Sequence, residues 1–144
     1  MFFAPVFTFA RGWNGNAHVY YLNEGNPWEG TRKGSASHIL DVVYLFQNFR
    51  EFLTADQQEV GIAFAEDIFK FCHGVSPWPA VTMGDFDKGF SARFYGSGDE
   101  RVPKRVVTQP YGDETMRRDV LHSLAARVSL EDLAKVFMAF KTAE

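Results

Sequence analysis

The run Ala17-His-Val-Tyr-Tyr-Leu-Asn23 is rich in β-branched and aromatic residues. Turn formers bound it on both sides, Asn14-Gly15-Asn16 and Gly25-Asn26-Pro27, so the pattern predicts a strand, placed centrally in a sheet. A long Gly- and Pro-containing loop follows from Gly25 to Ser37, and His38 stands at its end. Loops of that length inside a compact domain are usually functional. From Ile39 to Phe49 the apolar positions Val42, Val43, Leu45, Phe46 and Phe49 predict a short helix. Thr54 then offers an N-cap with Gln57 three residues on, a capping box that opens a helix over Ala55–Cys72. Val60, Phe64, Ile68 and Phe71 recur along it at helical spacing, and Gly74 sits where a left-handed C-cap residue belongs.

Beyond that helix, Ser76-Pro-Trp-Pro79 is excluded from any helix interior by its two prolines. Short apolar patches at Phe90–Tyr95 and Arg105–Thr108 predict two small strands. Asp113 is the expected cap of a helix reaching Val128. Ser129 and Asp132 are expected to cap a last amphipathic helix over Leu130–Phe140. The apolar start, Met1 to Ala10, carries Pro5 and has no basic segment before it, a poor match to a secretory signal. The helix-heavy C-terminal half predicts covering layers with too little sheet beneath them, as in a piece of a larger α/β domain.

Composition changes this picture little. The 144 residues are 46% hydrophobic and 23% charged, ordinary for a globular chain large enough to bury a core. Fifteen Phe imply either a thick core or surface that a partner would cover. With a net charge of −3 and basic residues no more than two in a row, no phosphate-tracking face is expected, so nucleic acid is not a predicted partner. No stretch approaches the roughly 18 apolar residues that a membrane span needs. The single Cys72 excludes an internal disulfide and a Cys-based zinc cluster, and no metal site is expected. Next to it, His73 is expected at a helix end, with Cys72 as a core thiol. His122, one turn after Asp119, is expected to form a surface pair, and His18 has no assigned role.

One ordered set of features spans residues 18–79. A strand leads to Asn23-Glu-Gly-Asn-Pro-Trp-Glu-Gly30 and to Gly34-Ser-Ala-Ser-His38. Asp41, Tyr44 and Phe46 follow, then Phe64-Ala65 within a helix, then Trp78-Pro79. This order resembles the C-terminal section of the type B carboxylesterases, which include cholinesterases and many fungal esterases and lipases. The tail, with Arg117-Arg118-Asp119 and the closing helix, is compatible with the fungal branch.

The resemblance implies an α/β fold. Residues 1–144 would form the C-terminal part of an α/β-hydrolase, its last sheet strands with the helices that cover them. It implies that His38 is the general base of a Ser–His–Glu/Asp triad acting on a small-molecule carboxylic ester, with no cofactor. Imidazole suits that role because it titrates near neutrality. Asp41, three residues on, is expected to support the helix start or the histidine. Trp28, on the histidine's loop, is a candidate to line an acyl pocket or to pack. Many members carry Gly directly after the histidine, where this chain has Ile39.

The triad order in these hydrolases is Ser, acid, His, so a C-terminal piece lacks the first two. The only glycines four apart are Gly30 and Gly34, and Arg32 lies between them where the nucleophile elbow requires Ser. Gly89-Phe-Ser91 begins like an elbow but ends in Arg93, and no run of adjacent glycines could form the oxyanion loop. The chain alone is therefore expected to be inactive as an esterase. The alternatives are a non-catalytic interaction module derived from the hydrolase fold, or a truncated gene model of a full esterase. A fragment is expected to show exposed apolar surface with self-association or partial disorder, or to pair with its N-terminal part, and a module would use the sheet edge to recruit another chain. Family members often travel the secretory route, but the sequence assigns no compartment.

Overall fold

The computed structural model describes residues 3–86, 88–96, 106–110 and 127–142. Helix α1 (Phe3–Gly12) precedes strand β1 (Tyr20–Leu22), helix α2 (Leu40–Leu45), a 3-10 turn at Arg50–Phe52 and the long helix α3 (Ala55–Cys72). A second 3-10 turn at Met83–Asp85 leads to β2 (Ser91–Tyr95), β3 (Val106–Pro110) and the last helix, α4 (Leu130–Thr142). The helix expected over Asp113–Val128 and the Asp119–His122 pair lie outside the described residues.

Among the described residues three strands form one mixed sheet in the order β1-β2-β3, which with the helices is compatible with an α/β fold. β1 runs parallel to β2, with Tyr20 opposite Arg93 and Leu22 opposite Tyr95. A parallel pair needs a long crossover, and the chain makes it through the His38 loop, α2 and α3. β2 and β3 pair antiparallel, Arg93 facing Thr108. The sequence places β1 centrally. In the structure β2 is the middle strand, and β1 is an edge among the described residues. β1 is also three residues long instead of seven, because its lead-in turns to another partner: Ala17 and Val81 exchange backbone hydrogen bonds of 2.9 and 2.7 Å.

Alternation along the strands sorts the core into two layers. Ala92 and Phe94 of β2 join Tyr21, Val81 and Phe90 on one face. On the other, Tyr95 meets Leu40 and Tyr44 of α2, Val60 and Phe64 of α3, and Trp78, with Tyr20 and Leu22 packed beside them. Both faces of β2 are covered, which explains how a strand of five residues can be the centre of the sheet.

Helix α3 forms where its caps and pattern place it. Gln57 N donates to Thr54 Oγ1 (3.3 Å) while Thr54 N donates to Gln57 Oε1 (3.1 Å), the full capping box. Past its end, Gly74 takes φ +72°, which a side chain disfavours. The buried face is Gln57, Val60, Gly61, Phe64 and Asp67. Phe71, on the expected stripe, is exposed, and so is Cys72, which corrects the expectation of a core thiol. In the last turn of α3, Phe71 meets the ring of His18 yet stays exposed, and Phe69 is exposed there as well. His73 does occupy the helix end, its Nδ1 2.8 Å from Phe69 O.

Two further expectations are adjusted. The sequence assigns no element to the start of the chain, yet α1 forms there. Pro5 is no obstacle, since it falls in the first turn, where the backbone N–H has no intrahelical acceptor. α2 stops at Leu45 instead of Phe49, because Gln47 and Phe49 adopt φ +56° and +60° and break the helical path. In α4, Ser129 Oγ accepts from Asp132 N (3.1 Å) and donates to Asp132 Oδ2 (2.7 Å), as the cap pattern predicts.

Three core tyrosines make stability sensitive to alkali. Burial, and then the Asp41 carboxylate, push Tyr20 up to about 12 from 10.0. Tyr44 is raised further, by burial and then by the charge of Glu24. Tyr95 is raised by burial and then by its bond to Asp67, partly opposed by Arg93. Above the ordinary value of 10.0 the unfolded chain loses phenolic protons that the folded chain keeps, so stability falls as pH rises through this window. Full stability is expected below it, with steep unfolding between pH 10.0 and about 12. Tryptophan fluorescence and tyrosinate absorbance, titrated together, should move as one transition. Early tyrosinate formation with an intact fold would contradict this.

Candidate functional site

The loop that ends at His38 leaves β1 through a buried acid. Glu24, fully buried, follows the strand, and its Oε1 accepts from Gly25 N at 3.2 Å and from Gln57 Nε2 at 3.4 Å. Gln57 Nε2 also donates to Gly25 O at 3.1 Å. The loop then closes on itself. Asn26 N donates to Ser35 O (3.1 Å) and Gly34 N to Asn26 O (2.9 Å). Gly25 lies so close to Gly34 that a Cβ on it would stand 3.0 Å from the Gly34 carbonyl oxygen. Asn26 Oδ1 accepts from Trp28 N at 3.0 Å, an Asx turn that carries the chain through Pro27. A Lys33–Glu29 ion pair decorates the outer surface.

His38 stands exposed at the close of this loop, directly before α2. The next residue, Ile39, has φ +68°, a left-handed conformation that is an outlier for a β-branched side chain. The backbone at this position, where many of the resembled esterases carry Gly, is one that favours Gly. Ile39 is 55% exposed, so it recovers little from burial. Replacing it with Gly relieves about 1–2 kcal/mol of backbone strain and adds about 0.5–1 kcal/mol of unfolded-state entropy. Ile39→Gly is therefore expected to stabilise the chain by roughly 0.5–1 kcal/mol, read as a higher urea midpoint. A lower midpoint would mean that the Ile39 side chain contributes more than its exposure suggests.

Asp41 sits on the first turn of α2, as expected. One carboxylate oxygen accepts from Val42 N at 3.0 Å and the other from Tyr20 Oη at 3.3 Å. It therefore ties the helix start to β1. Trp28 is half-buried, packs beside the core around Tyr95, and meets Phe49 edge to face with ring centroids 5.9 Å apart. That is a packing role, on the same loop as His38. Ser91 opens β2 and is followed by strand, whereas a nucleophile elbow turns from strand into helix. His18 packs its ring edge against Phe71 and Trp78, each at 5.6 Å.

Sequence reasoning missed two buried acids, Glu24 and Asp67. Asp67 had a visible signal: it lies three residues after Phe64 and seven after Val60, inside the apolar stripe of α3. Glu24, between strand and turn, had none. Among the described residues no group of three His, Cys, Asp or Glu side chains is placed to hold a metal ion, and no helix is long and apolar enough to cross a membrane. An open apolar depression of about 360 Å³ on α3, lined by Ala65, Glu66, Phe69 and Lys70, includes none of His38, Asp41 or Trp28. Compared with protein-family models, with curated proteins and with solved structures, the chain matches none.

Proposed function

We propose that this chain is the histidine-bearing, C-terminal part of a carboxylic ester hydrolase of the α/β-hydrolase fold, with His38 as its general base. The observation that carries the reading is the loop itself. A hydrogen-bonded loop leaves a parallel strand and delivers an exposed histidine, and the residue after it holds the left-handed backbone that the family's Gly would supply. In that role His38 would accept the proton of an attacking serine hydroxyl and return it to the leaving alcohol. Asp41 would fix the start of α2 behind it through Tyr20 and the Val42 amide. The serine and the oxyanion donors would come from polypeptide other than these 144 residues, because no Gly-x-Ser-x-Gly occurs among them.

Two measurements test this. The 144-residue chain should hydrolyse p-nitrophenyl butyrate no faster than its His38→Ala variant. The longest transcript that encodes these residues should add a Gly-x-Ser-x-Gly segment. Its product should label with a serine-directed phosphonate and lose ester hydrolysis on His38→Ala. A transcript without that segment, or hydrolysis indifferent to His38, overturns the proposal.

The second reading is a non-catalytic interaction module. The exposed Val42, Phe46, Phe49 and Phe52 that follow the loop favour it. Self-association of the chain that Phe46→Ser abolishes, with no serine-bearing transcript, would select this reading.

A further inference from the structure

The described part of the chain has a buried junction that no role for His38 alone explains. Gln57 serves two elements at once. Its Oε1 accepts from Thr54 N at 3.1 Å and so closes the cap of α3. Its Nε2 faces away from the helix and donates to Glu24 Oε1 and Gly25 O at 3.4 and 3.1 Å. Glu24 is fully buried, and Gln57 is 7% exposed, so water does not compete for these bonds. From Glu24 the contacts continue through the Gly25–Gly34 approach to the Asn26–Ser35 bond, three residues before His38. The two ends of the loop therefore share one anchor, and that anchor is fixed to the N-terminus of the longest helix.

From this continuity we infer that Glu24 and Gln57 are positioning residues for His38: the pair sets where the histidine's loop leaves β1 and where it returns. As a statement about catalysis the inference rests on the reading of His38 as the triad base. As a statement about the loop it does not. A general base must sit within hydrogen-bond reach of the proton it takes, so a loop loosened by an ångström costs turnover more than binding.

Gln57→Glu separates the anchor from the helix cap. It keeps the oxygen that accepts from Thr54 N but replaces the Nε2 donor with an acceptor that faces a carboxylate and a carbonyl. Combining it with Glu24→Gln puts a donor and an acceptor back opposite each other in exchanged places. The probe is amide hydrogen exchange and the His38 ring resonances in the 144-residue chain. With Gln57→Glu, exchange at Asn26 and Gly34 should rise about tenfold, as for the loss of roughly one buried hydrogen bond. The His38 signals should shift, α3 amides at Val60 and Phe64 should stay protected, and the exchanged pair should restore part of the loop protection. Unmoved loop amides overturn the inference. So do unmoved His38 signals, or loop and α3 exchange that rise together as in global destabilisation. If Gln57→Glu does not fold, Glu24→Gln alone is judged by the same criteria.

In a serine-bearing product, Gln57→Glu should lower kcat and leave KM unchanged. If the solution probes behave as expected and no product hydrolyses esters, the esterase reading fails and the loop anchor stands.

Discussion

Asp67→Ala is expected to remove about 2–4 kcal/mol of stability, the cost of taking the buried acceptor from a part-buried ion pair and a buried tyrosine hydroxyl. Asp67 is 2% exposed on α3, and three groups converge on it. Its Oδ2 accepts from Tyr95 Oη at 2.8 Å and from Arg93 Nε and Nη2 at 3.1 and 2.9 Å, and its Oδ1 accepts from Lys70 Nζ at 3.2 Å. Lys70 is half exposed and would lose little, as surface pairs do. Tyr95 and Arg93 carry the effect. The Tyr95 hydroxyl has no route to water, and leaving it without an acceptor costs about 1–3 kcal/mol. Arg93, whose side chain is partly exposed, spans Asp67 and Thr108 Oγ1 (3.2 Å), so its guanidinium would lose its charge partner and keep only partial contact with water.

Asp67→Asn retains one acceptor and should cost roughly half as much. In a double-mutant cycle, Asp67→Ala and Tyr95→Phe should couple by about 1–3 kcal/mol, since they share one bond. Guanidinium unfolding followed by tryptophan fluorescence reads all of these. A loss below about 1 kcal/mol for Asp67→Ala would mean that the cluster is solvated in solution.

The same cluster shows where the sequence could be read and where it could not. Helix α3 was legible because its signals are local: a capping box at Thr54 and Gln57, an apolar period, and Gly74 at its end. Which face of α3 would be buried was less legible, since Phe71 fits the period yet is exposed. Phe46 and Phe49 mislead in the same way. Apolar periodicity reports what a residue could bury, not whether anything stands opposite. β2 and β3 were visible as apolar patches, but the parallel pairing of β1 with β2 joins residues some seventy positions apart, and nothing local encodes it. Arg93 lies within β2, and its partner Asp67 belongs to another element, so no local pattern pairs them. Of the proposed site, the places of His38 and Trp28 on one loop and of Asp41 on the first turn of α2 follow from their order along the chain. The Glu24–Gln57 anchor was not legible, because a capping glutamine looks complete with its own helix.

Gly96→Ala should be the most damaging small substitution near the His38 loop, with an expected loss of about 2–4 kcal/mol. Gly96 follows β2 at φ +82°, which by itself costs an alanine about 1–2 kcal/mol. The space is also taken. An added Cβ would stand 2.6 Å from Glu24 Oε2, 2.9 Å from Glu24 N and 3.0 Å from Glu24 Cα. A flexible side-chain tip could swing away, but backbone atoms cannot, and Glu24 is held by Gly25 N and Gln57. The clash must therefore move the start of the loop that carries His38. Gly89 provides the control, because it has φ +92° and nothing within 4 Å of a new Cβ, so Gly89→Ala pays only the conformational term. The difference between the two variants, about 1–2 kcal/mol on denaturant titration, isolates the packing of Gly96 against Glu24. Equal losses would show that Glu24 yields, and the loop's anchor would then be softer than its burial implies.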